Sequence, residues 1–161
     1  MLRAVMAVVL ATALLATSLP VLDAARRDHT AGTVRAQLDR IETAVADLRT
    51  REEAVPPETA GARRVVTVSL PARSWTDAGV SYLAIGGSPR ESVPGDRERA
   101  EIAWQVRGGP LQERRIPGAV VEPGTRGDEP LVLREPGTHR LALSLVDRCG
   151  QRVVVVRRLS D

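Results

Sequence analysis

A long uncharged segment near the N-terminus constrains this chain more than any other feature. Between Arg3 and Asp23, residues 4–22 contain no charged side chain. As an α-helix, about 19 residues at about 1.5 Å each span about 28 Å, close to the thickness of the hydrocarbon core of a bilayer. The segment 1–22 therefore predicts a transmembrane anchor, with these residues in contact with lipid: Val5, Val8, Val9, Leu10, Leu14, Leu15 and Leu19.

A cleaved secretory signal is the alternative interpretation of the same segment. Arg3 would then be its charged start, and Ala16-Thr17-Ser18 would be a small-x-small cleavage site. Pro20 would stand second in the mature chain, and the apolar character continues to Leu22, so retention is favoured. The predicted location is the cell membrane, in a single pass, with secretion after cleavage near Ser18 as the alternative.

Two conflicting signals indicate on which side of the membrane the C-terminal domain lies. The positive-inside rule compares the N-terminal Arg3 with Arg26, Arg27 and Arg35, and this comparison favours a cytosolic C-terminal domain. A single signal-like segment before a β-rich domain is, in contrast, typical of export. We expect the C-terminal domain to be extracytoplasmic.

The segment 23–55 predicts an amphipathic helix. Its apolar residues recur at steps of three and four, with charged residues between them, which is the pattern of one narrow helical stripe. The stripe consists of Val34, Leu38, Ile41, Val45 and Leu48. Two interpretations stay open, because this spacing suits packing on the protein's own domain and also a coiled-coil seam with a partner or a second copy. We expect the helix to begin at Asp23 or Thr30 and to end at Glu53.

After a linker at 56–63, the apolar period changes from helical to two, which predicts about six or seven short strands within residues 64–161. The clearest pair is a hairpin of residues 141–145 and 153–156 around a turn at 147–150. The predicted fold class is α+β, with the N-terminal helix followed by a mainly antiparallel β domain. That domain is either a small sandwich or a single sheet packed on the helix.

Charge and composition give little sign of chemistry. The formal net charge is +3 and aromatic residues make up 2% of the chain, without the clustered basic and aromatic residues of nucleic-acid-binding proteins. Neither His29 nor His139 has neighbours at metal-ligand spacing, and Cys149 is the sole cysteine, so that no internal disulfide can form. We therefore expect no enzyme activity, no cofactor, no metal site and no nucleic-acid partner.

The layout of residues 4–22, Pro20 and the stripe resembles that of type IV pilins and pseudopilins. In that family the apolar half of the helix anchors the subunit and later packs in a filament core, while the amphipathic half lies on the sheet. The chain departs from the pattern because no basic leader ending in Gly precedes the apolar run. It also lacks, within residues 4–22, the acidic residue that pilins use in assembly. The resemblance thus implies an accessory component rather than a major pilin.

A second resemblance concerns the stretch RRVVTVSLPARSW, from Arg63 to Trp75. It is similar to small membrane-anchored proteins of haloarchaea that are associated with pilus-like or secretion-type machinery. We therefore expect a non-catalytic structural or accessory component of such an apparatus. Its partners would be membrane lipid, through the N-terminal helix, and other proteins or further copies, through the amphipathic helix. The alternative is an exported or anchored β-sandwich binding module that holds a protein or surface ligand through loops at 86–99 or 118–130.

Overall fold

The computed structural model describes residues 2–56, 61–87, 101–116, 120–123, 130–148 and 150–159, with the backbone alone for 101 and 120–123. Within these residues the chain forms one helix and eight strands. Their bounds are α1 Leu2–Arg51, β1 Arg63–Leu70, β2 Val80–Ile85, β3 Glu101–Val106, β4 Leu111–Arg115, β5 Val120–Pro123, β6 Leu131–Leu133, β7 Gly137–Arg148 and β8 Gln151–Leu159. The predicted helix followed by a β domain is confirmed.

The apolar segment and the amphipathic segment belong to one uninterrupted helix. Helix α1 contains 50 residues, and Pro20 lies inside it. The expectation that a helix begins at Asp23 or Thr30 is wrong, and its end is Arg51 rather than Glu53. Proline removes one backbone donor, yet the helix continues through this position. At Asp23 the polarity of the side chains changes while the helical backbone does not.

The β domain is a sandwich rather than a single sheet. One sheet has the order β1-β7-β8-β5 and the other has the order β4-β3-β2-β6. All pairs are antiparallel except β5 with β8, which is parallel. The predicted hairpin is the β7-β8 pair, and at its turn the Gly150 amide donates to Asp147 Oδ1 at 2.7 Å. Cys149, in the same turn, lies outside the described residues.

The second half of α1 supplies a large part of the sandwich core. All five stripe residues are buried, with exposed fractions of 0 or 1%. They share one apolar cluster with Leu141 and Leu143 of β7 and with Leu83 and Ile85 of β2, so the stripe contacts both sheets. Internal packing is the arrangement that forms. The stripe residues are buried in the protein's own core in this conformation, and a partner contact through the amphipathic helix stays a prediction.

Ion pairs on both flanks hold α1 against the edges of the two sheets. Arg64 of β1 places Nη1 2.6 Å from Asp47 Oδ2. Arg114 of β4 contacts Asp39 Oδ1 at 2.7 Å and Glu42 Oε1 at 3.0 Å. Since β1 and β4 are the edge strands of their sheets, the helix closes one open side of the sandwich.

Replacing Leu38 by Ala tests this packing. Leu38 is fully buried, and we expect the free energy of unfolding of the β domain to fall by about 2–5 kcal/mol. The measurement is denaturant unfolding of the full chain in detergent. Leu15→Ala makes the same chemical change in the exposed half of α1 and should leave the unfolding midpoint unchanged. Equal midpoints for both variants would contradict the packing described here.

Candidate membrane anchor and its junction with the β domain

The first half of α1 projects away from the sandwich with its apolar side chains uncovered. Residues 2–23 are all exposed. The predicted lipid contacts have large exposed fractions: Val5 58%, Val8 65%, Val9 58%, Leu10 64%, Leu14 60%, Leu15 64% and Leu19 61%. An 18-residue window of this helix has a mean hydropathy of 2.3 and none of it is buried. Such a segment is long and apolar enough for a membrane anchor, although a signal sequence has the same properties.

The hydroxyl groups of the apolar segment are satisfied within the helix itself. Ser18 Oγ donates to the Leu14 carbonyl at 2.7 Å, and Thr17 Oγ1 lies 3.0 Å from the same oxygen. Thr12 Oγ1 likewise donates to the carbonyls of the preceding turn. An unpaired hydroxyl is costly in hydrocarbon, where water cannot replace the missing partner. These side chains are therefore compatible with a lipid environment.

The loop between β1 and β2, residues 71–79, docks on α1 immediately after the apolar segment; we name it the Trp75 loop. Arg26 Nε donates to the Trp75 carbonyl at 2.7 Å, and the Arg26 guanidinium carbon lies 6.0 Å from the centroid of the indole ring. The Ala78 amide donates to Thr30 Oγ1 at 2.9 Å. Thr30 is completely buried, so the helix and the loop form a closed contact at this point.

The shape of the Trp75 loop is fixed by its own hydrogen bonds. The Ser74 amide donates to the Asp77 carbonyl at 2.9 Å, and the Asp77 amide donates back to Ser74 Oγ at 3.1 Å. Gly79 has a φ of +78°, and a Cβ there would lie 2.9 Å from the Arg73 nitrogen. Only glycine fits this position without strain. The loop thus presents Trp75 on a defined backbone.

A second contact joins α1 to the same end of the sandwich. Arg27 Nη1 donates to the Gly108 carbonyl at 3.0 Å, in the turn between β3 and β4. The amide of Arg107 in that turn donates to the Gly79 carbonyl at 3.0 Å, which links the turn to the Trp75 loop. The two arginines that follow the apolar segment therefore hold the β domain against the helix. In the sequence these arginines are only flanking charges, since their partners come from distant loops.

The other residues considered in the sequence analysis either make ordinary structural contacts or lie outside the described residues. His139 is buried, and its Nε2 lies 2.8 Å from the Glu135 carbonyl, while His29 is exposed. Within the residues that the structure describes, no group of three or more His, Cys, Asp or Glu side chains is placed to hold a metal ion. Most of the two predicted binding loops, at 86–99 and 118–130, lies outside the described residues.

Comparison with known proteins gives one positive result. A family model described as a domain of unknown function (DUF7311) matches residues 1–159. No curated protein and no solved structure matches the chain. The match includes both halves of α1 and the sandwich, so the apolar half, the junction and the β domain are parts of one family pattern.

The junction can be tested at Thr30. A Thr30→Val replacement keeps the shape but removes the hydroxyl that pairs with the Ala78 amide. We expect a loss of about 1–3 kcal/mol in the free energy of unfolding, because a partly buried donor is left unpaired. Hydrogen exchange at Ala78 should accelerate. Thr33→Val is the matched control: its hydroxyl donates to the His29 carbonyl of the same helix at an exposed position, so a change within about 0.5 kcal/mol is expected. Equal effects would contradict a specific role for Thr30.

Proposed function

The chain belongs to the DUF7311 family, whose pattern extends over anchor and β domain alike, and we propose that it is a membrane-anchored, non-catalytic structural subunit of a pilus-like or secretion-type assembly. The observation that carries the proposal is the division of α1. Its first half is exposed and apolar, and its second half is part of the sandwich core. A subunit built in this way holds its β domain at a fixed place relative to the membrane.

Retention of the apolar segment is part of the proposal. Cleavage after Ser18 would leave Leu19, Val21 and Leu22 at the start of a water-soluble chain, with exposed fractions of 61%, 70% and 46%. Moving each such side chain from water into hydrocarbon is favourable by about 1.5–3 kcal/mol when it is fully buried. The bilayer provides that burial, whereas the β domain does not cover these residues.

We place the β domain on the extracytoplasmic side. The arginine count that favours the opposite side depends chiefly on Arg26 and Arg27. Both side chains donate hydrogen bonds to backbone carbonyls of the β domain. Their presence beside the apolar segment therefore has a structural reason that is independent of membrane topology.

Contacts with other subunits must use a surface other than the stripe, because the stripe is buried. The exposed half of α1 offers one: at about 100° per residue, Ala4, Ala7, Ala11 and Ser18 fall on one face, which Leu15 and Leu22 share. Small residues allow membrane helices to approach closely. In the pilin layout that the sequence resembles, this half of the helix also makes the contacts between subunits. We therefore assign the assembly contact to this small-residue face.

A charge in the middle of the apolar segment tests the anchor. Leu14→Arg places a guanidinium near the centre of the bilayer, at a cost of about 2.5–3.5 kcal/mol for insertion. We expect the Leu14→Arg variant to move from the alkali-resistant membrane fraction to the soluble fraction. For the wild-type chain, the intact mass measured in the membrane fraction should correspond to the full length. Ala25→Arg, outside the apolar segment, is the control and should remain in the membrane. A wild-type mass corresponding to a start at Leu19 would refute the anchor.

Cysteine cross-linking tests the assembly contact. In a Cys149→Ser background, Ala7→Cys and Ala11→Cys place thiols on the small-residue face, and Val9→Cys and Ala13→Cys place them on the opposite face. Oxidation of native membranes should link copies through positions 7 and 11 but not through 9 and 13. Membrane-anchored protein without cross-links at any of the four positions would contradict assembly through this helix. It would favour the tethered binding module instead.

A further inference from the structure

The Trp75 loop stands at the end of the sandwich from which the apolar helix leaves, and its indole is uncovered. Trp75 is 87% exposed. Outside α1, the only other exposed large hydrophobic residue in the described part of the chain is Val65, at 45%. The loop's own hydrogen bonds and its contacts with Arg26 and Thr30 fix its backbone against the helix. The molecule thus presents a large, solvent-exposed aromatic side chain on an ordered loop.

The level of this indole relative to the membrane follows from the helix. Trp75 contacts Arg26, which is four residues beyond Leu22, the end of the uncharged segment. Four residues of α-helix advance the chain by about 6 Å. The headgroup layer on each side of a bilayer is about 5–8 Å deep. With residues 4–22 in the hydrocarbon core, Trp75 lies at the level of the headgroups.

We infer that the Trp75 loop is a second membrane contact, in which the Trp75 indole inserts among the phospholipid headgroups beside the transmembrane helix. The inference rests on the proposed membrane anchoring. Indole suits this layer because its ring is apolar while its N–H can donate to polar headgroup atoms. The helix gives the β domain one attachment point, and the indole gives it another beside the first. Attachment through both the helix and the indole restricts the tilt of the sandwich relative to the membrane surface.

The charges around the indole are mixed. The tryptophan, rather than charge attraction, therefore makes the main contribution to the membrane contact. Near this end of the sandwich lie four arginines and three aspartates: Arg26, Arg27, Arg73, Arg107, Asp23, Asp28 and Asp77. Asp23 pairs with Arg26 at 3.4 Å, and Asp77 accepts hydrogen bonds from Ser74 and Thr76. The small positive excess can contact lipid phosphates but is not a polybasic patch. A zwitterionic bilayer is therefore sufficient for the contact.

Fluorescence quenching in lipid vesicles tests the inference on the full chain. The protein is reconstituted in phosphatidylcholine vesicles containing lipids brominated either near the carbonyl group or near the chain end. We expect emission from Trp75 to be quenched, more strongly by the shallow bromines, and this quenching to be lost in Trp75→Phe. The other tryptophan, Trp104, is 3% exposed inside the sandwich, so the emission left in Trp75→Phe should not respond to lipid.

The outcomes separate this inference from the proposed function. If the protein resists alkaline extraction from the vesicles but Trp75 is quenched by aqueous iodide and not by brominated lipid, the inference is overturned and the anchoring stands. That result is also expected if Trp75 is reserved for a protein partner, since the vesicles contain no other protein. If alkali extracts the protein, both the anchoring and the lipid contact of Trp75 are overturned.

Discussion

Burial of the α1 stripe between the two sheets is the interaction on which the rest of the structure depends. Five apolar side chains from one helix face complete a core to which both sheets contribute. Without them, the open side between β1 and β4 would expose that core to water. The same packing fixes the direction in which the helix leaves the domain. The position of the apolar half is therefore a consequence of core formation and requires no additional interaction.

Local patterns in the sequence were sufficient for the parts of the fold that depend on neighbouring residues. The uncharged run 4–22, the stripe Val34 to Leu48 and the β7-β8 hairpin all follow from periodicity. The absence of a helix boundary near Asp23 did not, because the change from apolar to charged side chains there leaves the helical backbone uninterrupted. The sequence left a sandwich and a single sheet as alternatives and gave no sign of the parallel β5-β8 pair, since both features depend on contacts between residues far apart in sequence.

The junction illustrates the same limit at the candidate site. Arg26, Arg27 and Thr30 are unremarkable in the sequence, where they are two flanking charges and one hydroxyl. Their partners, Trp75, Gly108 and Ala78, come from loops that follow β1 and β3. Only the strand order shows that these loops lie at the end of the sandwich next to the apolar half. A contact between residues some 50 to 80 positions apart leaves no periodic signal.

The unbroken backbone of α1 has a mechanical consequence. No linker separates the apolar half from the half that is packed in the sandwich, so a rotation of the helix about its axis turns the β domain through the same angle. The missing backbone donor at Pro20 makes that position the weakest point of the exposed half against bending. Pro20 lies within the apolar segment, so in the proposed membrane-anchored arrangement the chain would bend most easily below the membrane surface. A pull on the β domain would then be transmitted along the helix into the bilayer.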